Sequence, residues 1–132
     1  MKKIVLDTNV VVSAFLAPQG NTAAILKLVL RHDFDICFDT AILAEYEEVL
    51  SREKFSGKIY KPDIQRFFEI IYNIGLNIIS TLSTVSLSDE TDRKFYDVAK
   101  TANAYLITGN IRHYPDEPFV VTPTQFLVLL EK

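Results

Sequence analysis

Asp7 and Asp92 stand where the hydrophobic pattern calls for apolar side chains. Asp7 follows the apolar run Ile4-Val5-Leu6 directly. Asp92 falls inside the helical arc formed by Phe95, Tyr96, Val98, Ala99 and Ala102 at about 100° per residue. Burying an unpaired charge is very unfavourable. A carboxylate on such a stripe therefore needs a metal ion, a basic side chain or backbone N–H groups beside it. Glu90 and Asp97 fall on the opposite, outward side of the same helix. Glu45 and Glu47 border a second arc, Ile42, Leu43, Tyr46, Val49 and Leu50, one on each side. Periodicity does not choose between them, while Glu48 is turned outward. Each acid alone has a structural reading. Asp7 can cap the helix that follows it, Asp92 can favour a helix dipole from the first turn, and Glu45 can be a solvated rim residue. The coincidence of Asp7 and Asp92 at one edge is what points to chemistry.

That edge follows from the elements. Short apolar runs at Lys3–Leu6, Ile36–Phe38, Asn77–Ile79, Tyr105–Ile107 and Phe119–Val121 read as strands, and the unbroken runs suit a parallel sheet covered on both faces. Helices are predicted over 9–16, 22–31, about 40–51, 62–74 and 89–102, with a last one after a capping box at Thr122-Pro123-Thr124-Gln125. Asp39 or Thr40 caps the third. Ser80 to Ser88 is a polar loop. Strands alternate with helices throughout, which predicts a three-layer α/β/α sandwich with a central parallel five-stranded sheet, a single domain over 1–132. In such sheets ligands bind outside the carboxyl ends of the strands. Those ends read Asp7-Thr8-Asn9, Asp39-Thr40 and Thr108-Gly109-Asn110. The last tripeptide, taken alone, reads as a turn.

Composition narrows the classes. Of the 132 residues, 48% are hydrophobic and 23% charged, an ordinary globular balance. The net charge of −3 argues against nonspecific nucleic-acid binding driven by a basic surface, though a carboxylate cluster is partly neutralised once it holds cations. A single cysteine, Cys37, makes no internal disulfide and fits a reducing cytoplasm. No apolar run approaches the ~18–20 residues of a membrane span. The opening Lys2-Lys3-Ile4-Val5-Leu6 reads as a strand rather than a signal peptide, because Asp7 and Asn9 break it. Gly20-Asn21-Thr22 lacks the lysine of a phosphate-binding loop. The spacing of His32, Cys37 and His113 is no zinc site. A receiver-like domain is disfavoured by the absence of lysine between Arg112 and Glu131. A haloacid-dehalogenase-type phosphatase would want a second aspartate in Asp7-Thr8-Asn9.

The motifs, in their order, resemble those of PIN domains. Asp7-Thr8-Asn9-Val10-Val11-Val12-Ser13-Ala14 is similar to the family's opening. Leu43-Ala44-Glu45-Tyr46-Glu47-Glu48-Val49-Leu50-Ser51-Arg52 resembles the second motif of the branch assigned to toxins of toxin–antitoxin pairs. Asp89-Glu90-Thr91-Asp92-Arg93-Lys94-Phe95 and Ala104-Tyr105-Leu106-Ile107-Thr108-Gly109-Asn110 resemble the third and fourth. The resemblance selects Glu45 over Glu47. It implies that Asp7, Glu45 and Asp92 hold Mg²⁺ or Mn²⁺ and that the chain is a ribonuclease of the VapC type, with a cognate antitoxin and a homodimeric state. Many PIN domains carry a fourth aspartate where Asn110 stands here, and Asp89 is the residue placed to substitute for it. Thr8, Asn9, Thr108 and Asn110 are then expected to orient water and RNA, joined by Arg112 and His113. Lys54, Lys58 and Lys61 are further candidates for RNA, with Tyr60 and Tyr114 as stacking surfaces. Relief of like-charge crowding further leads to the expectation that Asp7→Asn is inactive yet at least as stable. The rival from the non-enzyme class is an inert PIN-like module that binds RNA or a protein.

Overall fold

A computed structural model describes residues 2–131; the ends of the expected domain span, Met1 and Lys132, lie outside the described residues. The elements run β1 (Lys2–Leu6), α1 (Thr8–Leu16), α2 (Asn21–Leu30), β2 (Phe34–Phe38), α3 (Thr40–Leu50), α4 (Lys61–Ile74), β3 (Leu76–Asn77), α5 (Arg93–Ala102), β4 (Tyr105–Ile107), β5 (Val120–Val121) and α6 (Pro123–Leu130). Short 3₁₀ turns cover Glu53–Phe55, Glu90–Asp92 and Ile111–His113. The five strands form one sheet in the order β3-β2-β1-β4-β5, every neighbouring pair parallel. Helices complete the expected three-layer α/β/α sandwich.

The order places the site. The chain builds outward from β1 through β2 to β3, then crosses over to lay β4 on the other side of β1. The sheet therefore switches direction between β1 and β4, where an open parallel sheet leaves its crevice. Leu6 lies opposite Ile107 in that pair. Asp7 and Thr108, one residue further on each strand, thus emerge side by side. Ile4, Val5, Leu6, Ile36, Cys37, Leu106 and Ile107 are buried, as strands covered on both faces require. Phe67 packs against Phe15 and Tyr46 with ring centroids 5.8 and 5.7 Å apart, which ties α4 to α1 and α3.

Local signals are realised at the helix ends. Asp39, not Thr40, caps α3, accepting from the Ile42 N–H at 2.8 Å. Thr122 and Gln125 form the capping box of α6. Gly75 ends α4 for a steric reason. A Cβ there would lie 2.6 Å from the Ile71 carbonyl oxygen and 2.9 Å from the Phe38 ring.

Three expectations are corrected. The third strand covers Leu76–Asn77 rather than Asn77–Ile79; the Ile78 N–H still reaches the Phe38 carbonyl at 2.8 Å, but Ile79 turns out of the sheet and is 95% exposed. The helix expected from Asp89 begins at Arg93, after the 3₁₀ turn. Asp97, expected outward, is buried. The cause is tertiary. Residues 80–88 run along that side of α5, and the Ser83 N–H donates to both Asp97 oxygens at 3.3 Å. Arg93 fastens the same segment by donating to the carbonyls of Ser83 and Val85. No helix among the described residues is long and apolar enough to cross a membrane.

Candidate active site at the carboxyl edge of the sheet

Asp7 sits between the end of β1 and the start of α1, and is nearly buried. Its Oδ1 accepts from the Asn9 N–H at 3.2 Å, which caps α1. Its Oδ2 accepts from the Thr108 hydroxyl at 2.9 Å and the Tyr114 hydroxyl at 3.1 Å. The cap and the site reading of Asp7 are thus compatible. Burial first, and the Asp7 charge second, push the hydroxyls of Tyr46 and Tyr114 above the usual tyrosine range. Both stay protonated and act as donors, Tyr46 to the carbonyl of Leu6 immediately before the aspartate.

Glu45 is the partly buried one of the pair that periodicity left open, while Glu47 is exposed and accepts from the Tyr72 hydroxyl at 2.8 Å. Glu45 Oε2 accepts from the Thr8 hydroxyl, and Oε1 pairs with Lys94 Nζ at 2.9 Å. The first turn of α1 and the middle of α3 therefore meet at this carboxylate, and α5 delivers its cation.

Asp92 ends the 3₁₀ turn that leads into α5. Its carboxyl is raised from 3.8 to about 6, chiefly by burial, then by the negative charges of Asp7 and Asp89, against the opposing pull of His113 and Lys94. His113 Nδ1 stands 3.7 Å from Asp92 Oδ2. The other ring nitrogen, Nε2, is 2.9 Å from Asn110 Nδ2. With Asn110 donating to Nε2, the ring proton resides on Nδ1 and faces Asp92. Asp89 is exposed and held in its own turn by the Thr91 N–H and hydroxyl, at 3.0 and 2.7 Å. Those bonds hold its carboxyl below the usual range.

The chain thus brings Asp7, Glu45 and Asp92 to one end of the sheet, with only Glu45 in a tight ion pair. Asn9, Asn110 and His113 are exposed beside these acids, and Arg112 is exposed on the same 3₁₀ turn as His113. Two residues expected to orient RNA do otherwise. Thr108 is fully buried and Thr8 nearly so, and their hydroxyls are spent on Asp7 and Glu45. They orient the acids. Tyr114, expected as a stacking surface, is buried for the same reason. Lys94 and Tyr46 were not foreseen as site residues. Lys94 borders the apolar arc of α5 by periodicity, and that was the available signal. Tyr46 reads as core, and its hydroxyl partner is a backbone carbonyl that no pattern reveals.

Among the described residues, no three acidic, histidine or cysteine side chains stand close enough to enclose an ion as they are placed. The donor chemistry nevertheless fits a hard divalent cation. All three acids offer oxygen, and Asp92 carries an excess of negative charge around it. Glu45 is held by Thr8 and by Lys94 at 2.9 Å, and its pairing with Lys94 would have to open for it to serve a cation.

Acids gathered at the switch point of a doubly covered parallel sheet, each beside hydroxyls or a nearby cation, define an α/β domain with a carboxylate-lined edge. Residues 3–112 match the family model described as PIN domain, and the chain belongs to that family, a nuclease family. The uncharacterized protein MJ1680 of Methanocaldococcus jannaschii is 29% identical over 119 residues, spanning 82% of this chain and 70% of that protein. Two solved structures share the fold. VapBC2 from Rickettsia felis, bound to a DNA fragment from its promoter, is 20% identical with a TM-score of 0.56 and covers 91% of this chain and 96% of its own. PAE2754 from Pyrobaculum aerophilum is 14% identical with a TM-score of 0.62, covering 99% of this chain and 90% of its own.

Proposed function

We propose that this chain is a divalent-metal-dependent endoribonuclease in which Asp7, Glu45 and Asp92 hold Mg²⁺ or Mn²⁺, with Asp89 as an outer ligand. The observation that carries the reading is the placement of two carboxylates, Asp7 and Asp92, in one partly buried neighbourhood, where burial and the charge of Asp7 raise the Asp92 carboxyl above its usual range. A bound divalent ion supplies the Lewis acidity for activating water and neutralising charge on a phosphodiester.

The chain's own residues do the rest. Asp7 is the fixed anchor, because Thr108, Tyr114 and the Asn9 N–H hold it. Glu45 would be the third ligand, and Lys94, now its ion-pair partner, would stand beside the phosphate backbone. Asn9, Asn110, Arg112 and His113 meet the RNA from the rim. His113, with Nδ1 3.7 Å from Asp92 Oδ2, stands beside the acid whose surroundings it helps to shape.

The fold shared with VapBC2, together with the motif resemblance, supports a role as the toxin of a toxin–antitoxin pair. In that role the chain would act in the cytoplasm as a homodimer, silenced by its antitoxin partner. The test is cleavage of an end-labelled RNA, single-stranded or with a hairpin, by purified protein. Cleavage that requires Mg²⁺ or Mn²⁺ and vanishes in Asp92→Asn supports the reading. RNA left intact in both metals, by a protein shown to be folded, contradicts it and favours an inert binding module.

A further inference from the structure

The carboxylate of Asp7 has about four lone-pair positions, two on each oxygen. Three are taken. The hydroxyls of Thr108 and Tyr114 both donate to Oδ2, and the Asn9 N–H donates to Oδ1. Oδ2 is therefore saturated from within the protein, and only Oδ1 keeps an open position. Tyr114 reaches it from the turn after β4, beyond the residues 3–112 that the family match covers. It is buried, and its hydroxyl has Asp7 as its partner. A phenylalanine would fill the same volume, so packing alone does not explain the hydroxyl.

We infer that Tyr114, together with Thr108, makes Asp7 a one-oxygen ligand and so biases the site toward ions that take a single oxygen from each carboxylate. The inference rests on the metal-binding reading above and deepens it. Mg²⁺ demands near-ideal octahedral geometry and uses single carboxylate oxygens, whereas Ca²⁺ accepts both oxygens of one carboxylate in a looser shell. A carboxylate with one oxygen blocked discriminates between them. Tyr114 is a positioning residue, since it acts through Asp7.

The experiment is calorimetric titration of the full chain, stripped with chelator and desalted, with MgCl₂ and CaCl₂ separately. It uses wild type, Tyr114→Phe and Thr108→Val. Both variants free a position on Oδ2. The ratio of the Ca²⁺ to the Mg²⁺ dissociation constant is expected to fall about fivefold or more in each, mostly through tighter Ca²⁺. An unchanged ratio, or both ions weakened in parallel, would overturn the inference, because a purely structural hydroxyl moves both alike. Should Tyr114→Phe fail to fold, Thr108→Val decides. Wild type that binds neither ion sinks this inference together with the metal-dependent reading. Wild type that binds ions but leaves RNA intact sinks only the nuclease reading, and the ratio still decides the role of Tyr114.

Discussion

Asp7 and Asp92 carry the same group to the same edge, yet the molecule treats them differently. Asp7 hangs from the sheet. Its oxygens are filled by neutral donors, two hydroxyls and a backbone N–H, and its surroundings are core. Asp92 hangs from a 3₁₀ turn. Its nearest partner is a histidine 3.7 Å away, and burial plus neighbouring acids make its charge unwelcome. Glu45 belongs with Asp92, being helix-borne, partly exposed and tied to a cation. The contrast separates two ways of placing a ligand. The sheet fixes one acid by geometry, and the helices hold the others by charges that an incoming cation can replace. Neutral donors leave a carboxylate's full charge in place for a metal, whereas Lys94 must be displaced.

The largest expected effect lies on the sheet side. Asp7→Ala strips two buried hydroxyls of their acceptor and α1 of its cap. Chemical denaturation should register a loss of about 3 kcal/mol, with RNA cleavage at background. Asp7→Asn keeps one acceptor oxygen and should lose about 1 kcal/mol. That reverses the sign expected from charge crowding alone, and a more stable Asp7→Asn would break the contrast.

Asp92→Asn should move the other way. With its carboxyl raised to about 6, the folded state holds a proton that the unfolded chain has already released between pH 4 and 6. In chelator, this group's contribution to stability is therefore full below about pH 4 and lost as pH rises through 6. At pH 7.5 Asp92→Asn should be about 2 kcal/mol more stable than wild type, and at pH 4 no different. Urea titrations at the two pH values check this.

Lys94→Met gives a shift as small as that of Asp7→Asn. Removing the ammonium beside Glu45 should lower the stability of the chelated protein by about 1 kcal/mol. Millimolar Mg²⁺ should then raise the melting temperature of Lys94→Met more than that of wild type, since nothing competes for Glu45. An equal response in the two proteins would remove Lys94 from the account.

The same contrast explains what the sequence made legible. The alternation of apolar runs with amphipathic stretches gave the strands and the helices, and the capping box at Thr122 the start of the last helix, because those signals are local. Asp7 was legible as an acid ending an apolar strand, and Asp92 as an acid on a core-facing stripe. Contacts made across the fold were not. Asp97 reads as outward because period and composition say nothing of a polar segment laid over α5 and pinned by Arg93. Tyr114 reads as a stacking surface because its partner lies 107 residues earlier in the chain. Thr108 reads as a turn residue until β4 is set beside β1. Hydroxyls that orient an acid carry no periodicity of their own.

The most direct test of the central claim is a melting curve of chelator-stripped protein with and without millimolar Mg²⁺ or Mn²⁺, beside Asp92→Asn. An ion bound only by the folded state must raise the melting temperature, and the rise must shrink when one of its ligands is neutralised. A clear upward shift in wild type that is lost in Asp92→Asn is the predicted result. A flat response, or the same shift in both proteins, would contradict the account.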